Sequence, residues 1–189
     1  MNNCTRKTNY DYSEKTIYVG IDVHKKTYAV TVICDNEVVK RDTLKADPHQ
    51  LITYLKKRFG DGEIVSAYEA GFCGFHLHRL LVGAGIKNIV VHAASIEISK
   101  DRVKTDKRDS IKIATHLSQG RLVCINIPTV EREDFRALTR LRATFAKQKT
   151  RIACQIKSLL YQHGMISAYD DKKVSEKWIK NLSKMQLTR

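Results

Sequence analysis

Four carboxylates together form a pattern that chemistry explains better than local structure does. Asp22 lies inside the apolar run of residues 16–23, and Glu69 follows a second apolar run, residues 63–68. A carboxylate among apolar neighbours is costly unless charge or hydrogen bonds compensate it. Asp106 and Asp109 are three residues apart at the start of a predicted helix, so they project from one face. Acids from two strands and one helix can therefore converge at the carboxyl edge of a sheet.

Convergent acids without neutralising Lys or Arg need divalent cations, and oxygen ligands favour Mg²⁺ or Mn²⁺. One or two such ions would activate water or a hydroxyl for attack on a phosphodiester. Each acid also has a simpler explanation, because strand ends often carry turn residues and a helix dipole favours acids in the first turn. The chain has no C-x-x-C pair and no Gly-rich phosphate loop. We therefore predict a catalytic metal site with oxygen ligands from Asp22, Glu69, Asp106 and Asp109.

The charge balance predicts an anionic partner. The chain carries 34 Lys and Arg against 20 acids, a formal charge of +14. Two segments concentrate this charge, residues 98–112 around the helical aspartates and a long helix predicted from residue 129 to 163. Both could be solvated faces, but nucleic acid is the favoured partner. The predicted nucleic-acid-binding residues are Lys25, Lys100, Arg102, Lys104, Lys107, Arg108, Arg136, Arg140, Lys147 and Arg151.

The elements that must position these residues follow from hydrophobic periodicity and turn signals. Strands are predicted at residues 16–23, 27–34, 37–44, 63–68 and 87–92, and helices at 47–59, 75–82 and 105–119, with a short strand or connector at 122–125. A β-meander followed by alternating helices and strands predicts an α/β fold with a mixed five-stranded sheet and flanking helices. The predicted organisation is a flexible lead-in (1–15), a catalytic domain (16–127), a long basic helix (128–164) and a tail (165–189).

The long basic helix has a narrow apolar seam. Apolar residues fall at positions 138, 141, 145, 152, 156 and 159, a three-four spacing typical of coiled coils. We expect a homodimer formed through residues 128–164. The tail lacks a core pattern, so we expect truncation before a C-terminal domain. No apolar run is long enough to span a membrane and no signal peptide is visible, which predicts a cytoplasmic protein.

Three sequence blocks together resemble a known family. They are YVGIDVHK at residues 18–25, YEAG at 68–71 and KTDKRDS at 104–110. Their order is similar to that of DEDD transposases of the IS110 insertion-sequence family, relatives of Piv DNA invertases, and the resemblance covers about residues 16–163. It implies a RuvC-like variant of the RNase H fold, in which the matching acids Asp22, Glu69, Asp106 and Asp109 bind magnesium.

The resemblance also implies a function. In the family a second, C-terminal domain carries a nucleophilic serine, and a structured bridge RNA pairs with donor and target DNA. The chain would then be the metal-binding N-terminal half of a transposase or site-specific recombinase that cleaves and exchanges DNA strands. Without the second domain it should not recombine DNA by itself.

Three other functions fit parts of the same pattern. A stand-alone junction-resolving nuclease would need only the four acids and two metal ions. A sugar-kinase or actin-like ATPase half would also begin with a strand that ends in an acid, but the high positive charge and missing glycine loops argue against it. A non-catalytic nucleic-acid-binding and dimerisation module would explain the charge without any metal.

Overall fold

The computed structural model of this chain describes residues 11–92, 106–164 and 175–182. Its contacts divide the chain into two compact units, residues 1–127 and 128–189. The elements, in chain order, are β1 (Thr16–Val23), β2 (Thr27–Cys34), β3 (Glu37–Lys45), α1 (Pro48–Phe59), β4 (Glu63–Glu69), α2 (His76–Gly83), β5 (Lys87–Val91), α3 (Asp106–Ser118), α4 (Val130–Gln162) and α5 (Glu176–Leu182).

The five strands form one mixed sheet in the order β3-β2-β1-β4-β5. β1 pairs antiparallel with β2, and β2 antiparallel with β3. On the other side β4 runs parallel to β1, and β5 parallel to β4. This order and these directions are those of the RNase H fold, and a long helix follows the sheet. The predicted fold class, a RuvC-like α/β sheet with flanking helices and a long helix, is confirmed.

Local signals explain the first elements of the sheet. Asp35 and Asn36 both have positive φ, 51° and 65°, which suits the tight hairpin between β2 and β3. α1 begins where predicted because the Asp47 side chain accepts hydrogen bonds from the backbone N–H groups of His49 and Gln50. Pro48 occupies the first turn, where its missing N–H costs nothing. β3 and β4 each extend one residue beyond their predicted ends, to Lys45 and Glu69.

The two faces of the sheet differ in what covers them. We call the first the α1/α2 face: Ile17, Val19 and Ile21 of β1 point into a core that also contains Leu55 of α1 and Leu81 of α2. The second is the α3 face, because strand side chains alternate and the remaining residues of β1 point towards α3. There α3 contacts mainly β1, β2 and β4.

The segment after α3 returns to the edge of the sheet. Cys124 pairs with Val91 in an isolated antiparallel bridge, and the Ile125 N–H donates to the Val90 carbonyl at 2.9 Å. The region predicted as a short strand or connector, residues 122–125, is therefore an extended connector with one bridge.

The second unit contains the long helix. α4 begins after Thr129, whose hydroxyl accepts from the Arg132 N–H at 3.3 Å, and it runs for 33 residues. Leu160 of α4 and Trp178 of α5 are buried, so α5 is an element that the apparent lack of a core pattern after Met165 did not predict. None of the described helices combines the length and hydropathy that crossing a bilayer requires.

Candidate active site

Asp22 and Glu69 lie at the same edge and on the same face of the sheet. The parallel register of β1 and β4 pairs Ile21 with Tyr68, so Asp22 and Glu69 occupy the next position on each strand. Neighbouring strands are about 4.8 Å apart, and residues at one level of a parallel pair point to the same side. Ile21 and Tyr68 are buried in the α1/α2 core, which directs Asp22 and Glu69 to the α3 face.

α3 crosses this face unusually closely, and Gly20 is the reason. A Cβ atom at Gly20 would lie 2.2 Å from the Ser110 carbonyl oxygen and 2.4 Å from the Ala114 nitrogen. The strand and helix backbones therefore touch where Gly20 has no side chain. Beside this point the Ser110 and Thr31 hydroxyls form a buried hydrogen bond of 2.9 Å.

The direction of α3 orients its aspartates towards the strand acids. Ile113 and Leu117 pack in a cluster with Tyr18 and Val65, which lie nearer the beginnings of β1 and β4. Ser110 lies further along, at the level of Gly20 and Thr31. The N-terminal turn of α3 therefore faces the carboxyl edge of the sheet. Asp109 immediately precedes Ser110 in this turn and is partly buried.

Asp22 is already held by a neighbour. Its Oδ2 lies 2.9 Å from Nε2 of His24, and its side chain is 18% exposed against 40% for His24. The His24 N–H donates to the Thr27 carbonyl at 2.9 Å, which fixes the turn between β1 and β2. Glu69 is exposed at the end of β4. The histidine thus restricts the orientation of one carboxylate, while the other remains accessible.

Not every predicted ligand can be placed. Within residues 11–92, 106–164 and 175–182, no three His, Cys, Asp or Glu side chains are grouped closely enough to hold a metal ion. The backbone of Asp106 lies in the first turn of α3, but its side chain is outside the described part. The carboxylates of Asp22, Glu69 and Asp109 are the hard oxygen donors that Mg²⁺ and Mn²⁺ prefer, so their chemistry fits such an ion.

The predicted nucleic-acid-binding residues fall into three groups. Lys25 is exposed in the turn directly after His24, beside the acids. Lys100, Arg102 and Lys104, and the side chains of Lys107 and Arg108, lie outside the described residues. The remaining four residues are exposed on α4 in the second unit: Arg136, Arg140, Lys147 and Arg151.

Sequence reasoning did not single out one set of polar residues on the α3 face. Arg41 and Thr43 of β3 pair with Thr31 and Ala29 of β2, and Ala29 in turn pairs with Asp22. The alternating charges of β3 were visible in the sequence. Only the pairing register of β1, β2 and β3, however, places them on the same face as the acids.

Comparisons with known proteins identify a family of similar proteins. The family model DEDD_Tnp_IS110, described as "Transposase", matches residues 19–165. The transposase for insertion sequence element IS1533 of Leptospira borgpetersenii is 34% identical over 113 residues, covering 58% of this chain and 33% of that protein. The putative transposase y4qE of Sinorhizobium fredii is 32% identical over 161 residues, covering 82% of this chain and 41% of that protein.

The chain thus spans between a third and about two fifths of the length of these relatives. Among solved structures, RuvC of Thermus thermophilus is similar with a TM-score of 0.43 and 13% identity, covering 58% of this chain and 99% of that one. The match to the family model extends from β1 to just beyond α4 and includes all four acids. The chain belongs to the IS110 family of DEDD transposases.

Proposed function

We propose that this chain is the metal-binding part of a DNA transposase or site-specific recombinase that cleaves and exchanges DNA strands. One observation carries the proposal. Asp22 and Glu69 sit at the same level of neighbouring parallel strands, on the face where the first turn of α3 brings Asp109 towards the same edge. Carboxylates directed to one edge of a sheet, beside an exposed lysine, fit metal-dependent phosphodiester chemistry.

The side chains have distinct parts in this proposal. Asp22, Glu69, Asp106 and Asp109 would hold one or two Mg²⁺ or Mn²⁺ ions. When bound, such an ion activates the attacking oxygen and stabilises the leaving oxygen of a phosphodiester. His24 keeps the Asp22 carboxylate oriented through the 2.9 Å contact. Lys25 is exposed beside this edge, where it can neutralise a nearby phosphate.

α4 supports two further parts of the proposal, because its two sides differ. At 100° per residue, the basic residues 136, 140, 147 and 151 share one side of the helix. Leu138, Leu141, Phe145, Ile152 and Leu159 share the other and are 49–66% exposed. We assign the basic side to nucleic acid, including a guiding bridge RNA as in the family, and the apolar side to a second copy of the chain. Light scattering that detects only monomers would contradict the dimer.

The metal site is tested by isothermal titration calorimetry with Mn²⁺ and Mg²⁺. Asp22→Asn and Asp109→Asn should each reduce affinity by more than the roughly 10- to 100-fold expected for loss of an outer partner. Asp61→Asn is the matched control. Asp61 is an exposed aspartate just before the start of β4, whereas Glu69 lies at the other end of the same strand. It should leave affinity unchanged.

Two results would change the conclusion. If metal affinity is the same in all variants, with and without DNA, the acids are structural and a nucleic-acid-binding module becomes the better description. If the chain alone cuts branched DNA and Asp22→Asn abolishes cutting, the site is that of a stand-alone junction-resolving nuclease.

A further inference from the structure

β3 presents a row of polar side chains that are exposed in the described part of the chain. Arg41, Thr43 and Lys45 are exposed, whereas Asp42 and Leu44 between them are partly buried. Because side chains alternate along a strand, the three exposed residues point to one side. Arg41, Thr43 and Lys45 pair with Thr31, Ala29 and Thr27 of β2, so this side is the α3 face.

A groove lies between this row and α3. It has a volume of about 280 Å³ and is lined by Arg41, Asp42 and Thr43 of β3, Ala29, Val30 and Thr31 of β2, and Ser110 of α3. The Asp42 carboxylate itself accepts a hydrogen bond from Tyr54 on the other face of the sheet. Its floor reaches Ala29, which pairs with Asp22 on the neighbouring strand. One end of the groove is therefore a single strand spacing, about 4.8 Å, from Asp22. We call the edge of the sheet at which Asp22 and Glu69 lie, at the ends of β1 and β4, the acidic edge.

The chemistry of the groove suits a phosphodiester backbone. Arg41 can donate two parallel hydrogen bonds to a phosphate, and Lys45 supplies a second positive charge about 13 Å away, four residues along the strand. In the described part of the chain neither residue forms an ion pair, so no carboxylate of that part neutralises either charge.

We propose that the Arg41–Thr43–Lys45 row is a backbone-binding track that guides one DNA strand along the sheet to the acidic edge. The proposal rests on the proposed function, because it takes the strand that passes Asp22 to be the one that is cut. Arg41 and Lys45 neutralise phosphates, and the Thr43 hydroxyl donates a hydrogen bond to a phosphate oxygen between them. These contacts involve no bases, so the track accepts DNA of any sequence.

Charged residues also protect edge strands from pairing with other chains, and β3 is an edge strand. Edge protection alone would require neither a shared face with Asp22 nor a groove between β3 and α3. The two roles are separated by measuring DNA affinity together with the aggregation state of the same variants.

The test uses fluorescence anisotropy with a labelled single-stranded DNA, the same sequence as RNA, and a duplex, at several salt concentrations in EDTA. Arg41→Gln/Lys45→Gln should bind single-stranded DNA about tenfold or more weakly, with a salt slope smaller by about 1.4. Thr43→Glu should also weaken binding, through repulsion. The matched control is Lys56→Gln/Lys57→Gln, which removes two exposed charges from α1 on the opposite face and should bind as the unmodified chain does.

Equal loss in the groove and control variants would overturn the proposal, since the effect would then depend only on total charge. Loss confined to RNA would overturn the assignment to DNA. Circular dichroism melting curves verify that the variants fold. Because EDTA removes metal, the DNA-binding result is independent of the calorimetry. If Arg41→Gln/Lys45→Gln weakens DNA binding while Asp22→Asn and Asp109→Asn leave metal affinity unchanged, the track is retained and the metal site is rejected.

Discussion

The two faces of the sheet are built on opposite packing principles. On the α1/α2 face, fully buried Ile17, Val19 and Ile21 separate β1 from its helices, and each buried side chain contributes about 1.5–3 kcal/mol. On the α3 face, Gly20 removes the side chain altogether, so that the helix backbone meets the strand backbone. One face supplies the hydrophobic core, whereas the other fixes where the first turn of α3 lies relative to the strand acids.

This difference explains why the acids can be at a sheet edge without destabilising the core. Asp22 shares β1 with the core residue Ile21 but points to the other side, where it contacts His24. A carboxylate in the place of Ile21, on the α1/α2 face of β1, would lie among apolar side chains and would be costly. The candidate site is thus confined to the face with small residues and polar partners.

The largest expected effect comes from filling the space at Gly20. Gly20→Ala places a methyl group 2.2 Å from the Ser110 carbonyl, so α3 must move away from β1. We expect the free energy of unfolding to fall by about 3 kcal/mol, as for severe overpacking. Displacement of Asp109 should also weaken Mn²⁺ binding. Urea denaturation and calorimetry measure the two effects.

Gly83→Ala provides the control for this substitution. Gly83 ends α2, has no atom within 4 Å of an added Cβ and does not adopt positive φ. Its replacement should change stability by less than about 1 kcal/mol and tend to stabilise. Equal stability of Gly20→Ala and Gly83→Ala would show that α3 does not approach β1 as closely as described.

The next effect concerns the polar contact beneath α3. Ser110→Ala leaves the buried Thr31 hydroxyl without this partner and should cost about 1–3 kcal/mol. The double variant Thr31→Val/Ser110→Ala removes both hydroxyls and should recover much of that loss. A double-mutant cycle from urea denaturation gives the coupling energy. Strictly additive single losses would mean that the two hydroxyls do not stabilise each other.

The sequence predicted those parts of the fold that depend on local signals. The β1–β2–β3 meander and α1 follow from β-branched runs, the Asp35–Asn36 turn and the Asp47 cap, which act within a few residues. α5 was missed because it is short and has one buried aromatic, Trp178, which gives no periodic pattern.

The candidate site was only partly predictable for a related reason. The acids stand out in the sequence as polar residues in apolar runs, but the register that sets Asp22 level with Glu69 joins strands more than 40 residues apart. Arg41 and Lys45 were missed for another reason. The alternation of side chains along β3 shows that the two residues point to the same side of the strand, but it does not show which face of the sheet that is. That depends on the pairing with β2 and on where α3 packs.

The smallest effect tests a polar contact by which α1 holds the edge strand β3 on the α1/α2 face. The Tyr54 hydroxyl donates to Oδ2 of Asp42 at 2.5 Å. Burial, and then this hydrogen bond to Asp42, raise the pKa of Tyr54 well above its ordinary value. Tyr54→Phe removes the bond and should cost about 1 kcal/mol at neutral pH, as measured by urea denaturation.

The raised pKa makes this cost depend on pH. A raised pKa in the folded state means that the Tyr54 contribution is fully present below the ordinary tyrosine pKa of about 10 and is lost as pH rises above it. The stability difference between the unmodified chain and Tyr54→Phe should therefore shrink above about pH 10. A difference that stays constant from pH 7 to pH 11 would mean that the phenol titrates alike in the folded and unfolded chain. If Tyr54→Phe is also as stable as the unmodified chain at pH 7, the α1/α2 face holds β3 through apolar contacts alone, which makes the contrast with the α3 face sharper.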